Sequence, residues 1–233
     1  MSVPVSQPVK PQEPTPDSAQ ALGALESMVR VSELLNSRIC HDLISPVGAV
    51  NNGIELIAEL GDSVRDEAMH LISGSALSAA NRLAFYRLAY GSGAGKSRIS
   101  VNDAREAAGN LFKLGKTELD WPRYLVVPFE REPAAVAKVM ALVLLSAEEA
   151  LPRGKIELAC QEERMRVTFR LMGRDPGLSD QSRAALGEGA VIEDLTVRTV
   201  HSYLTGVALR QFGFFLTFDP VSTDRLDLHL GQR

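Results

Sequence analysis

The sequence predicts an α+β protein: an antiparallel helical hairpin followed by a sandwich of helices on a sheet. Three observations predict it. Apolar residues recur every three or four positions over two long stretches, and only a short Gly-Asp-Ser break separates them, as two facing helices require. A glycine-rich segment, Gly91 to Gly95, closes the second stretch and reads as a linker. Beyond it, strand-like and helical runs fall into groups and do not alternate regularly, the pattern of helices layered on one sheet.

Residues 1–17 carry prolines at 4, 8, 11, 14 and 16 and almost no large apolar side chains. Proline fixes φ and removes a backbone donor, so a disordered tail is expected, with a linear binding motif as the alternative. Residues 18–92 make the hairpin. In its first helix Leu35, Ile39, Leu43, Pro46, Val50, Ile54 and Ile57 fall on one stripe, and the break comes at Gly61-Asp62-Ser63. The second helix runs from about Val64 to Tyr90, with Ala68, Leu71, Ser75, Ala79, Arg82 and Leu88 near one face. A lone hairpin cannot enclose such a stripe. It packs on the rest of the chain, or two copies join as a four-helix bundle, and the length of the stripe favours the homodimer.

Residues 93–233 form the second domain. Expected in order are a strand at Arg98–Val101, a helix at Asp103–Leu114, a strand at Tyr124–Phe129 and an apolar helix at Pro133–Leu151 that ends at Pro152-Arg153-Gly154. Lys155–Cys160 and Met165–Leu171 read as an antiparallel pair, followed by a polar loop at Gly173–Gly177. A helix near Thr196–Phe212 and strands at Phe214–Phe218 and Arg225–Leu230 complete the domain.

A chain of 233 residues with 45% hydrophobic and 23% charged residues can bury a real core. Its net charge of −4 lacks the concentrated basic patch that nucleic acid requires. No apolar run approaches the roughly 20 residues that span a bilayer, and the N-terminus does not read as a secretory signal. A cytoplasmic protein with two reduced thiols, Cys40 and Cys160, is the expectation.

On a helical wheel His41 lies almost opposite the centre of the apolar stripe. Its own face carries Ser37, Ser45, Gly48 and Asn52, all small or polar. An exposed imidazole among such side chains admits close approach by another protein, which in-line phosphoryl transfer between macromolecules requires. Histidine as a residue type suits the task, because its neutral nucleophilic form is well populated near neutral pH and a covalent intermediate splits one transfer into two. Asp42 is placed to tune basicity, although neighbouring helix positions diverge and need not touch. Pro46 removes the donor to the Asp42 carbonyl, so a bend is expected just past the histidine. Arg38 is positioned either to neutralise phosphoryl charge or to sit solvated, and Ser45 either to hydrogen-bond the phosphoryl group or to give clearance. His70, His201 and His229 lack comparable surroundings and read as ordinary structural histidines.

His41-Asp42-x-x-x-Pro46 resembles the H-box of sensor histidine kinases. The nineteen-residue run from Arg38 to Leu56 is similar to the ChpT-type histidine phosphotransferases of bacterial cell-cycle phosphorelays. The resemblance implies a second domain built like a histidine-kinase ATPase domain that does not bind ATP. Kinases carry two asparagines and a following lysine on an apolar helix. Here Leu142 and Ser146 stand at the asparagine positions and Glu149 replaces the lysine, and an acidic group there repels a triphosphate. The adenine-reading Asp-x-Gly-x-Gly survives only as Asp175-Pro176-Gly177-Leu178-Ser179, and no paired-glycine lid appears between Gly187 and Gly213.

The resemblance further implies that His41 is charged by the receiver domain of a hybrid kinase of the CckA type. It would then pass the group to response regulators like CtrA and CpdR. The magnesium belongs to the receiver, and no cofactor is expected in this chain. Two other functions compete: an active ATP-dependent kinase fragment, and a dimeric scaffold whose histidine is merely exposed.

Overall fold

The computed structural model describes residues 16–91 and 99–233. The expected tail up to Thr15, and most of the glycine linker with the 92/93 boundary, lie outside the described residues. Helix α1 spans Pro16–Leu60 and α2 spans Arg65–Tyr90, joined by a single 3-10 turn at Gly61–Val64. Helix α1 begins two residues before the expected Ser18. Proline fits that start, because first-turn N–H groups have no helical acceptor. Gly61 reverses the chain with a φ of 68°, a conformation side chains disfavour. Asp66 and Glu67 then occupy the first turn of α2, where the helix dipole favours negative charge.

Most of the expected stripe on α1 is half-buried, but Ile54 is exposed, and on α2 Ala68 is buried while Leu71 is exposed. The helices approach closely at Gly53, where a Cβ would come within 2.6 Å of Ile72 Cγ1. Helix α1 runs on through Pro46, whose missing N–H leaves the carbonyl of Asp42 without a helical partner.

The second domain contains α3 (Val101–Phe112), β1 (Thr117–Asp120), α4 (Pro133–Ala150), β2 (Gly154–Gln161) and β3 (Arg166–Gly173). After these come α5 (Asp180–Leu186), α6 (Val200–Phe212), β4 (Phe214–Ser222) and β5 (Arg225–Gln232). The sheet order is β1-β2-β3-β5-β4, with β1 and β2 parallel and the other pairs antiparallel. Met140, Leu142 and Leu144 of α4 share one core with Ile156, Phe169 and Leu228 of the sheet. The α+β fold class is as expected.

Two expected strands are not strands. Of the one at 98–101, Arg98 lies outside the described residues, and over 99–101 it is displaced by the start of α3: the Ser100 hydroxyl accepts from the Asp103 amide (3.2 Å), and the Asp103 carboxylate accepts from the Ser100 amide (2.7 Å). That reciprocal cap starts a helix where the β-branched residues suggested a strand. The second, Tyr124–Phe129, has no ladder partner. Leu125, Val127 and Phe129 pack on the core while Tyr124 and Val126 face solvent, so the period of two is real without a neighbouring strand. Strand β1 and helix α5 are short and polar, and the sequence reading omits both.

The hairpin is not separate from this domain. Phe85, Tyr86 and Ala89 of α2 are buried in the same core cluster, and Ile39 of α1 packs against it. Farther up α1, Arg30 donates to the carbonyls of Ile192 (3.1 Å), Glu193 (2.7 Å) and Leu195 (3.3 Å).

Candidate active site

His41 projects from the middle of α1 with 78% of its side chain exposed. Ser37, Ser45 and Asn52 are exposed beside it, and Gly48 leaves open space where a Cβ would stand. The neighbouring Asp42 is only 13% exposed. Despite their divergent directions on the helix, His41 Nδ1 and Asp42 Oδ1 lie 3.2 Å apart. An ionised carboxylate only accepts, so in a neutral ring this contact favours the proton on Nδ1 and leaves the Nε2 lone pair free.

Asp42 is itself held from the other side. Arg38 Nε donates to Oδ2 at 2.9 Å, and the Tyr86 hydroxyl donates to the same oxygen. Burial pushes the Asp42 carboxyl up, but the bonds from Tyr86 and Arg38 outweigh it, and the pKa ends below the ordinary 3.8. Arg38 therefore points across to Asp42 and is neither free in solvent nor aimed at the imidazole. Tyr86 is pushed up to about 12, by burial first and then by its bond to Asp42, so it remains a donor.

Behind Tyr86 the contacts continue into the second domain. Arg82 donates to the Tyr86 hydroxyl (3.4 Å) and to Glu148 of α4 (3.1 Å). Burial lowers the Arg82 pKa, and Glu148 and Tyr86 more than restore it. The Tyr90 ring lies 5.3 Å from that of Tyr86, and its hydroxyl is 3.1 Å from Nδ1 of buried His201. These groups line a cavity of about 290 Å³ between the hairpin and the domain. His201 is pushed down to about 3, by burial and then by the Arg38 charge, and is neutral. The sequence reading missed Tyr86, Arg82, Glu148 and His201. A signal existed for three members of the cluster, since Arg82, Tyr86 and Tyr90 are spaced four apart on one helix face.

The profile of the histidine phosphotransferase C-terminal domain matches residues 101–223, more than half of the chain. The chain belongs to the histidine phosphotransferase family. Over 202 residues it is 32% identical to the protein phosphotransferase ChpT of Brucella abortus (strain 2308), covering 85% of this chain and 94% of that protein. A solved structure described as a bacterial phosphotransferase superposes with a TM-score of 0.69 at 30% identity, covering 87% of this chain and 96% of that one. Protein phosphotransfer in a phosphorelay is the activity of this histidine phosphotransferase.

Leu142, Ser146 and Glu149, the residues set against a kinase's nucleotide ligands in the sequence reading, make contacts within the fold. Leu142 is in the core. The Ser146 hydroxyl donates to the Leu142 carbonyl (3.2 Å) and lies 3.2 Å from His201 Nε2. Glu149 accepts from the Ser182 hydroxyl (2.6 Å), and the Gly177 amide donates to the Ala150 carbonyl (2.9 Å). His229 sits on the sheet, 2.9 Å from the Thr168 hydroxyl, and His70 is exposed on α2. Among the described residues no helix is long and apolar enough to cross a membrane.

Proposed function

We propose that His41 is the phosphoryl carrier of this phosphotransferase. The observation that carries the reading is the exposed imidazole whose Nδ1 is bonded to an anchored carboxylate. The free Nε2 lone pair attacks the phosphorus of a receiver's aspartyl phosphate, the P–O bond to that aspartate breaks, and its carboxylate leaves. A second receiver reverses the step with its own aspartate. Asp42 stabilises the positive charge that the ring gains in each direction. Ser37, Ser45, Gly48 and Asn52 give the receiver clearance around the nitrogen, and Arg38 supplies fixed positive charge one turn away.

The donor in this reading is the receiver domain of a hybrid histidine kinase of the CckA type, and the acceptors are response regulators like CtrA and CpdR in a cell-cycle relay. Magnesium enters with the receiver. ATP does not bind in this reading, because Leu142 has no ligand atom, the Ser146 hydroxyl is bonded to the Leu142 carbonyl, and Glu149 puts a carboxylate where a kinase carries a lysine. The protein works in the cytoplasm as a homodimer whose paired hairpins form a four-helix bundle, and the exposed apolar residues of the hairpin support that assembly.

The test supplies a phosphorylated receiver to wild type and to His41→Gln, then adds a second receiver. Wild type should acquire acid-labile phosphate and pass it on, and His41→Gln should do neither. Transfer by the variant would remove His41 from the relay and leave the scaffold reading. Phosphorylation of His41 from ATP and magnesium alone would make the chain a kinase.

A further inference from the structure

We infer that Tyr86, braced by Arg82 and Glu148, is a positioning residue for His41, so that the second domain is part of the phosphotransfer site. The inference rests on His41 as the carrier.

An exposed imidazole selects its own tautomer, and free histidine favours the proton on Nε2. Phosphoryl acceptance at Nε2 needs the opposite tautomer. Asp42 enforces it only while its Oδ1 faces Nδ1, and an aspartate on a helix has other rotamers open to it. Two donors close those off: Arg38 on the same helix and Tyr86 from α2 both bond Oδ2, which leaves Oδ1 for the imidazole. Tyr86 is buried, and its hydroxyl is held in turn by Arg82, whose guanidinium also lies 5.9 Å from the ring centre. Arg82 is fixed by Glu148, which belongs to α4 of the second domain. Four side chains thus connect α4 to the nucleophile: Glu148 to Arg82, Arg82 to Tyr86, Tyr86 to Asp42. Helix α4 of the second domain supplies an anchor for the histidine.

A hydrogen bond to a charged group is worth enough to change a rate by about tenfold or more when removed. Tyr86→Phe keeps the ring and deletes only the donor. It should slow phosphoryl acceptance from a receiver about tenfold with unchanged circular dichroism. Glu148→Ala, far from the nitrogen, should slow it severalfold, and Glu148→Gln, which still accepts from Arg82, should recover most of that loss. The second readout needs no phosphoryl group: ¹⁵N NMR of the imidazole should report the Nδ1–H tautomer of His41 in wild type and a shift toward Nε2–H in Tyr86→Phe. A wild-type tautomer ratio in both Tyr86→Phe and Glu148→Ala would overturn the inference, whatever the rates. If His41→Gln still relays phosphate, the carrier assignment fails instead, and the tautomer measurement stands apart from that result.

Discussion

His41 and His201 are two imidazoles placed in opposite surroundings by one chain. The first faces solvent beside a carboxylate; the second is enclosed by Tyr90, Ser146 and Thr205. Enclosure has a pH signature. His201 sits at about 3 in the folded protein against an ordinary 6.5, so between those values the unfolded chain binds a proton that the folded one refuses. Stability contributed by His201 is whole above about pH 6.5 and falls progressively as the pH drops below it. Asp42 acts in a lower window: its folded pKa lies beneath 3.8, so its contribution is present above that value and is lost only as the pH falls through the folded pKa. Melting temperatures measured from pH 8 to pH 5 should therefore fall in wild type. His201→Gln should start lower at pH 8 and decline less; an equal decline in both would show that His201 does not carry the acid sensitivity. At this scale the sequence made His41 legible through its place on the wheel and its H-box neighbours. It could not show what Tyr86 and His201 bond to, because those partners are 44 and 111 residues away in the chain.

Helices were read more faithfully than strands because their signal is local. Apolar spacing locates α1, α2 and α4, whereas a strand exists only if another strand accepts its ladder. Tyr124–Phe129 has the alternation without the partner. Thr117–Asp120 has a parallel partner in β2 and alternates in burial, but with Leu119 as its one large apolar residue it is too short to announce itself. Two glycines in α1 make a paired test of what the hairpin needs. At Gly48 a Cβ meets nothing within 4 Å, so Gly48→Ala should stabilise by about 0.5–1 kcal/mol through helix propensity alone. At Gly53 the new Cβ would press on Ile72 and on the Ala68 carbonyl at 3.3 Å. Gly53→Ala should therefore destabilise by about 1 kcal/mol net, as overpacking outweighs the same propensity gain. Chemical denaturation reads both, and matching signs would refute the close packing at Gly53. Gly48→Ala should also slow phosphoryl transfer while raising stability, because a receiver docked over His41 meets the added methyl. An unchanged rate would place the receiver elsewhere.

The whole molecule buries one face of the hairpin and leaves another open. Phe85, Tyr86 and Ala89 anchor the hairpin in the domain core, while Val29, Ile44, Val47 and Ile54 of α1 and Met69, Leu77 and Leu83 of α2 remain exposed. Exposed apolar residues scattered singly are ordinary, but a band along both helices of one hairpin is what a four-helix bundle covers. The stripe read from sequence likewise contained Ile54 and Leu71, which the fold of the single chain leaves exposed: the periodicity recorded apolar faces without saying what buries them. Sedimentation should find wild type at twice the 25.3 kDa chain mass. Ile54→Glu with Leu77→Glu should shift it to a single chain, because each carboxylate would lose its hydration inside an apolar seam. His41, Asp42, Arg38, Tyr86, Arg82 and Glu148 all come from one chain. The monomeric variant should consequently keep the Nδ1–H tautomer at His41 wherever circular dichroism shows it folded. A wild type that sediments as a single chain would sink the bundle, and a folded monomer with the tautomer lost would mean that the partner helps to set the nucleophile.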